Sequence, residues 1–337
     1  MILPKAGRRL GIMPQHREGV TMRWGLIGAG AHALQKIAPA LRSSKGASLK
    51  GGLGSSPDKS ARFAAEAGGI AYPSLEAMLG DDEVDAVFIA TPNDQHREQT
   101  EKAAAAGKHV LVEKPMALTE GDCRAMIAAC ERAGVALGIG FQQRHAPVNR
   151  ALRELIASGE LGDIVLVRGE WHTAYGPWTN WRADPAKSGS DILGAVGVHV
   201  FDLLGFLVGA DVAETASIVD RAADTGLDQT IAAALRYANG AMGTVTITRR
   251  ARAALNSIHV LGTKGAATGI GTLGMAPTGR LEITREGHTE TREFPVVDLY
   301  AAQFEAFAEA VAAGRSPSAS GADGLKSVAL TAQLLKA

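Results

Sequence analysis

From residue 23 to about 141 the chain alternates short apolar runs with longer amphipathic stretches. Arg23–Ile27, Leu49–Gly54, Ala86–Ala90, His109–Val112 and Ala136–Gly140 read as buried strands. Between them, Ala31–Ser43, Asp58–Ala67, Ser74–Leu79, His96–Ala106 and Glu120–Ala133 carry helical spacing. Strands separated by helices predict a doubly wound parallel sheet. The pattern then changes. Val148–Ser158 reads as a helix, Ile164–Trp171 as a strand and Ile192–Val208 as a buried helix, with a loop rich in Trp, Pro and Gly over 173–190. Strand-like runs follow at Glu214–Asp220, Thr230–Tyr237, Met242–Thr248, Asn256–Gly262 and Arg280–Arg285, and helices at Tyr300–Ala313 and Leu325–Leu335. Strands in succession predict an open, mostly antiparallel sheet. The expected fold is α/β. A flexible extension (1–21) precedes a doubly wound domain (22–141) and an α+β domain (142–337).

The length of 337 residues suits two domains, and 46% hydrophobic against 21% charged residues suits folded ones. Formal net charge is zero, with Lys and Arg scattered, which argues against nucleic acid or an anionic membrane as partner. Cys123 and Cys130 stand two helical turns apart, about 10 Å along the axis, too far for a disulfide. Buried thiols in a reducing cytoplasm are expected. Arg8-Arg9 resembles a twin-arginine signal, but the apolar run after it stops at Pro14. No stretch is expected to span a bilayer. The strand run 214–262 offers more apolar surface than one helical layer covers, so a homodimer or homotetramer is expected.

Chemistry enters at Gly28-Ala29-Gly30-Ala31-His32-Ala33, between a strand and a helix. One glycine permits a tight turn and the next lets a pyrophosphate approach helix N-terminal amides, the dinucleotide fingerprint of a Rossmann domain. At the end of the second strand an NAD site places a carboxylate on the ribose. Here Ser55, Ser56 and Lys59 stand instead, with Arg62 a turn later, a set suited to a 2′-phosphate and hence NADP. Asp58 reads as a helix cap. Thr91-Pro92-Asn93 with His96 marks a turn after an apolar strand, and Glu113-Lys114-Pro115 puts a lysine at the carboxyl end of another. That edge faces the ligand crevice in open α/β sheets.

With Gly140-Phe141-Gln142, Trp181-Arg182 and Gly197-Val198-His199-Val200-Phe201-Asp202, these motifs make the chain resemble the Gfo/Idh/MocA oxidoreductases from about residue 23 onward. The resemblance implies hydride transfer between NADP(H), NAD less so, and a sugar, cyclic polyol or keto compound. It implies a lysine, Lys114, aimed at substrate and nicotinamide, an often cis Lys–Pro bond, and cofactor contacts from Glu113, Trp181 and Arg182. Lys114 would polarise the carbonyl and His199 exchange the proton. Tyr175, Trp178, Asp202 and Tyr300 are further substrate candidates, and no metal-ligand spacing is present. One departure matters. The family carries an aspartate four residues before this histidine, where the chain has Ala195. In a regular helix 195 and 199 share a face one turn apart. Asp191 lies a turn further back, a substitute base or, more simply, a helix N-cap. Loss of the carboxylate favours reduction over alcohol oxidation. Two alternatives stay open: a nucleotide-binding regulator without turnover, and a reductase of imines or aldehydes.

Overall fold

The computed structural model describes residues 21–174, 176, 178–252, 256–274 and 279–336. The expected extension, but for Thr21, lies outside them.

The first half is the doubly wound sheet. Six parallel strands run in the order β3-β2-β1-β4-β5-β6: β1 (Met22–Ile27), β2 (Ala47–Leu53), β3 (Ile70–Ala71), β4 (Ala86–Ile89), β5 (His109–Val112) and β6 (Leu137–Ile139). The crossovers are α1 (a π-turn at Ala33–Ile37 running into Ala38–Ser43), α2 (Pro57–Ala67), α3 (Leu75–Leu79), α4 (His96–Ala105) and α5 (Glu120–Ala133). Strand order reverses between β1 and β4, the switch point where such sheets bind ligands beyond the carboxyl ends of their strands. β4 and β5 are buried at every position, which is why they read as continuous apolar runs. Edge strand β3 was not expected; it has two residues, both exposed. Ser56 caps α2 and Asp58 lies in its first turn, so the cap is two residues earlier than Asp58 suggested.

The second half carries an eight-stranded sheet in the order β14-β13-β12-β11-β7-β10-β9-β8. Its strands are β7 (Ile164–His172), β8 (Val212–Arg221), β9 (Asp228–Tyr237), β10 (Met242–Thr248), β11 (Asn256–Gly262), β12 (Ala266–Ile270), β13 (Arg280–Arg285) and β14 (His288–Glu293). Only β7 and β10 pair in parallel; the rest are antiparallel. β12 and β14 were missed for opposite reasons. β12 is Ala-Ala-Thr-Gly-Ile, weak in strand formers, and β14 is a polar edge strand exposed along all six residues.

One face of this sheet packs on α6 (Pro147–Ala157) and α8, a π-turn at Leu193–Gly197 running into Val198–Val208. The run Pro185–Val208, which includes the short helix α7 (Pro185–Ser188), is long and apolar enough to cross a membrane, contrary to the sequence expectation. Its most apolar window is 83% buried inside the protein, which accounts for the hydropathy. Chain order and packing diverge at the C-terminus. In α9 (Leu299–Ala312), Phe304 and Phe307 meet Trp24 of β1 at 4.8 and 5.3 Å between ring centroids. α10 (Gly321–Leu334) packs on α5 as well as α8, and starts four residues before expected because a Ser320–Asp323 capping box outweighs Gly321 and Gly324. The C-terminal helices thereby clamp the two sheets together.

Candidate active site

At the cofactor end the backbone does the shaping. Gly28 has φ +94°, and a β-carbon there would sit 2.7 Å from the Ala90 carbonyl. The Gly28 and Ala29 amides donate to Leu53 O at 2.9 and 3.0 Å, tying the turn to β2. Ala29 points its methyl into the core, whereas Ala31 and His32 are exposed, and a β-carbon on Gly30 would meet nothing nearer than 4.0 Å. That combination, a tight turn with an open approach, fits a dinucleotide pyrophosphate. Beyond β2, Lys59 Nζ donates to Ser55 Oγ at 2.9 Å, both exposed, while Ser56 is engaged as the cap of α2 and Arg62 pairs with Glu66.

Three expected cofactor residues direct their polar atoms to protein instead. Thr91 Oγ1 donates to Gln99 Oε1 at 2.6 Å, and Asn93 Nδ2 to Ser188 O at 3.0 Å. Pro92 begins a short 3₁₀ turn at Asn93–Gln95 that lacks a side-chain cap. His96 is fully buried, with Nδ1 against Pro115 O and Met116 O and Nε2 against Thr91 O. Its ring is occupied in stitching the Thr91 turn to the Lys114–Pro115 turn, whose peptide bond is cis. The sequence showed that His96 matters but not which way it faces.

At the carboxyl end of β5, Glu113 lies 3.4 Å from His32 Nε2. Burial opposes its charge, but the His32 hydrogen bond and the Lys114 charge hold its pKa down to about 2. Tyr300 meets the His32 ring edge-on at 5.6 Å and accepts from Gln142 Nε2 at 3.3 Å, so α9 reaches this cluster.

Lys114 Nζ donates to Ala195 O at 2.7 Å. The π-turn over Leu193–Gly197 widens the helix here, so the regular one-turn relation between 195 and 199 does not hold. Burial lowers the Lys114 pKa, Glu113 resists that, and Arg182 adds to it. His199 is buried between Trp171, stacked at 5.9 Å, and Phe141, edge-on at 6.1 Å, and its Nδ1 has no partner. Burial first and Lys114 second push its pKa well below 6.5, leaving a neutral ring at pH 7.

Asp191 is neither a substitute base nor a cap. Its Oδ1 accepts from Trp178 Nε1 at 2.6 Å, and its Oδ2 pairs with Arg249. The cap comes from β9, where the Asp228 carboxylate accepts from the Asp191 and Leu193 amides at 2.8 and 2.7 Å. Arg249 and Asp228 drew no notice in the sequence. Arg182 stacks over Trp181 at 4.5 Å and over Trp178 at 5.4 Å. Tyr175 lies outside the described residues. Asp202, a substrate candidate in the sequence, faces Arg144. Its carboxylate is buried and gripped by Arg144 at 2.8 and 2.5 Å, and Arg144 also reaches Asp323 at 3.1 Å.

A six-stranded doubly wound sheet with a glycine turn at its switch point and a lysine beyond β5, set against a helix that carries a histidine, defines a dinucleotide-dependent oxidoreductase. Residues 22–141 match the oxidoreductase family with the NAD-binding Rossmann fold, GFO_IDH_MocA, and residues 149–268 match the GFO/IDH/MocA C-terminal domain. The chain belongs to this family. It is 34% identical over 321 residues to 1,5-anhydro-D-fructose reductase of Ensifer adhaerens, covering 94% of this chain and 96% of that relative. The fold is shared with aldose-aldose oxidoreductase of Caulobacter crescentus, complexed with glycerol (TM-score 0.87, 26% identity, 94% of this chain and 97% of that one). It is also shared with KijD10, a 3-ketoreductase of Actinomadura kijaniata in complex with NADP and TDP-benzene (TM-score 0.84, 25% identity, the same coverages).

Proposed function

We propose that this protein is an NADP(H)-dependent reductase of keto sugars or cyclic keto-polyols. The observation that carries the reading is the Lys114–Ala195 contact. Residue 195, an aspartate in the family, offers no carboxylate here, and Lys114 donates to its backbone carbonyl, which orients an ammonium but takes up no proton. Oxidation of a plain alcohol needs a base at this point; reduction of a ketone needs polarisation and a proton. A relative named for reduction of an anhydro-ketose and a neighbour named as a 3-ketoreductase support that direction.

The cofactor, when bound, supplies the hydride. Lys114 Nζ hydrogen-bonds the substrate oxygen, stabilises the negative charge that builds there and passes its proton to it. Its lowered pKa makes that transfer easier than from an ordinary lysine. His199, neutral and desolvated, acts as a hydrogen-bonding wall beside Lys114 and not as an imidazolium donor. Trp178, Trp181 and Arg182 form the opposite wall. Ser55 and Lys59 are the 2′-phosphate contacts that favour NADP(H) over NAD(H). The buried free thiols Cys123 and Cys130 suit a cytoplasmic setting, and the outer face of the second sheet, with Ile218 and Leu261 exposed, serves a homodimer or homotetramer.

Lys114→Met tests the mechanism. Turnover of a keto sugar should fall about 100-fold or more, with the NADPH dissociation constant within about twofold of wild type. Turnover near wild type removes Lys114 from the chemistry, and tighter binding of NADH than NADPH by the wild type overturns the cofactor assignment.

A further inference from the structure

The segment 173–190 joins β7 to the helical run leading into α8, and it is fastened at three places. Its start pairs with the end of β10 and the residues just after it, through Thr173 N to Thr248 O at 2.9 Å and a bridge between Ala174 and Arg250. Its end is held by the cofactor domain, through Asn93 Nδ2 to Ser188 O. Its middle is held by one ion pair. Arg249 donates to Gly176 O and to Asp191, its guanidinium lies 5.3 Å from the Trp178 ring centroid, and Asp191 takes the Trp178 indole N–H. Arg249 is 7% and Asp191 4% exposed, so this pair is desolvated.

We infer that Asp191 and Arg249 form a latch that positions Trp178 and Arg182 beside Lys114, a positioning role distinct from catalysis. The inference rests on the assignment of Lys114 as the working group of the site. A buried ion pair adds little net stability over an apolar pair, but removing one partner strands the other. Such a pair fixes one arrangement of the chain it ties. Trp178 is gripped from both sides, by Asp191 at its indole nitrogen and by the Arg249 and Arg182 guanidiniums over its ring. Asp191 is in turn aligned by Asp228, which holds its amide at the head of α8. Arg182 is the cation that this stack presents to Lys114. The other groups facing Lys114 are Glu113 from its own turn, with His32 behind it, and His199 and Ala195 O from α8. Of these, Arg182 alone belongs to the latched segment.

The test compares wild type with Asp191→Asn and Arg249→Met in the full chain. Two readouts need no substrate. Amide hydrogen exchange over 178–190 should quicken about tenfold or more in both variants. The pH midpoint for acylation of Lys114 by an amine reagent, followed by peptide mass spectrometry, should rise toward that of an ordinary lysine. Asp191→Glu should restore part of both. If a variant fails to fold, Trp178→Phe, which removes the indole donor and part of the ring but keeps the Asp191–Arg249 pair, should give the same two changes to a smaller degree. Unchanged exchange together with an unchanged Lys114 midpoint overturns the latch, and so does lower thermal stability with an unmoved midpoint. Failure of the wild type to reduce any keto sugar with NADPH instead defeats the functional reading, and the two readouts still decide the latch.

Discussion

The two ends of the active-site crevice are built from different materials. At the cofactor end the shape is set by backbone, with a positive-φ glycine pressed against Ala90 and an open approach at Gly30. At the substrate end the shape is set by side chains drawn from distant strands, with Asp228 capping α8, Arg249 gripping Asp191 and Asp191 gripping Trp178. A backbone site is encoded locally, so a short motif reveals it. A side-chain site is encoded in which strands become neighbours, and no short motif carries that information.

The largest effect should come from the backbone end. Gly28→Val forces a β-carbon against Ala90 at a φ that valine avoids. NADPH binding by fluorescence titration should weaken about 100-fold or more. Binding within a few-fold of wild type would break the contrast, because the cofactor end would then tolerate side chains.

The next effect separates structure from chemistry within the substrate half. Arg144→Met leaves the Asp202 carboxylate buried without its cation, and thermal or urea unfolding should show a loss of about 3–5 kcal/mol. Burial already raises Asp202 to about 6 against the pull of Arg144. Turnover per folded molecule should stay near wild type. A selective loss of turnover with stability intact would return Asp202 to the substrate site.

A smaller, pH-dependent effect follows from His145. Burial, aided by Arg150 and Arg144, lowers its pKa to about 4 from 6.5. Between those values the unfolded chain binds a proton that the folded one refuses, so folded stability falls as pH falls. His145→Gln lacks this penalty. Its stability relative to wild type should improve by about 1.4 kcal/mol per pH unit as pH drops from 6.5 toward 4, with little change above 7. A constant gap between the two proteins across that range would refute the desolvated histidine.

The same contrast explains what could be read from the chain. The parallel sheet was legible because β4 and β5 are buried at every position and apolar but for His109, and the lysine was legible because Glu113-Lys114-Pro115 ends such a strand. β12 and β14 were not, since Ala266–Ile270 is poor in strand formers and His288–Glu293 is polar throughout. His96 was found but misdirected, because a sequence does not show which way a ring turns. The helical count from His199 back to Ala195 and Asp191 assumed regular spacing, and the π-turn breaks it. Asp228 and Arg249 acquire meaning only once β9 and β10 lie beside the start of α8.

The central claim is that the lack of a carboxylate at residue 195, whose backbone carbonyl holds Lys114, makes the site a reductase. It is tested most directly by Ala195→Asp, measuring maximal rates of keto-sugar reduction and of oxidation of the matching alcohol at pH 7. Wild type should reduce quickly and oxidise slowly, with oxidation rising at alkaline pH as Lys114 loses its proton. In Ala195→Asp the maximal oxidation rate at pH 7, relative to reduction, should rise about tenfold, as expected for one added general base. A wild type that oxidises the plain alcohol at pH 7 as fast as the variant does would contradict the account.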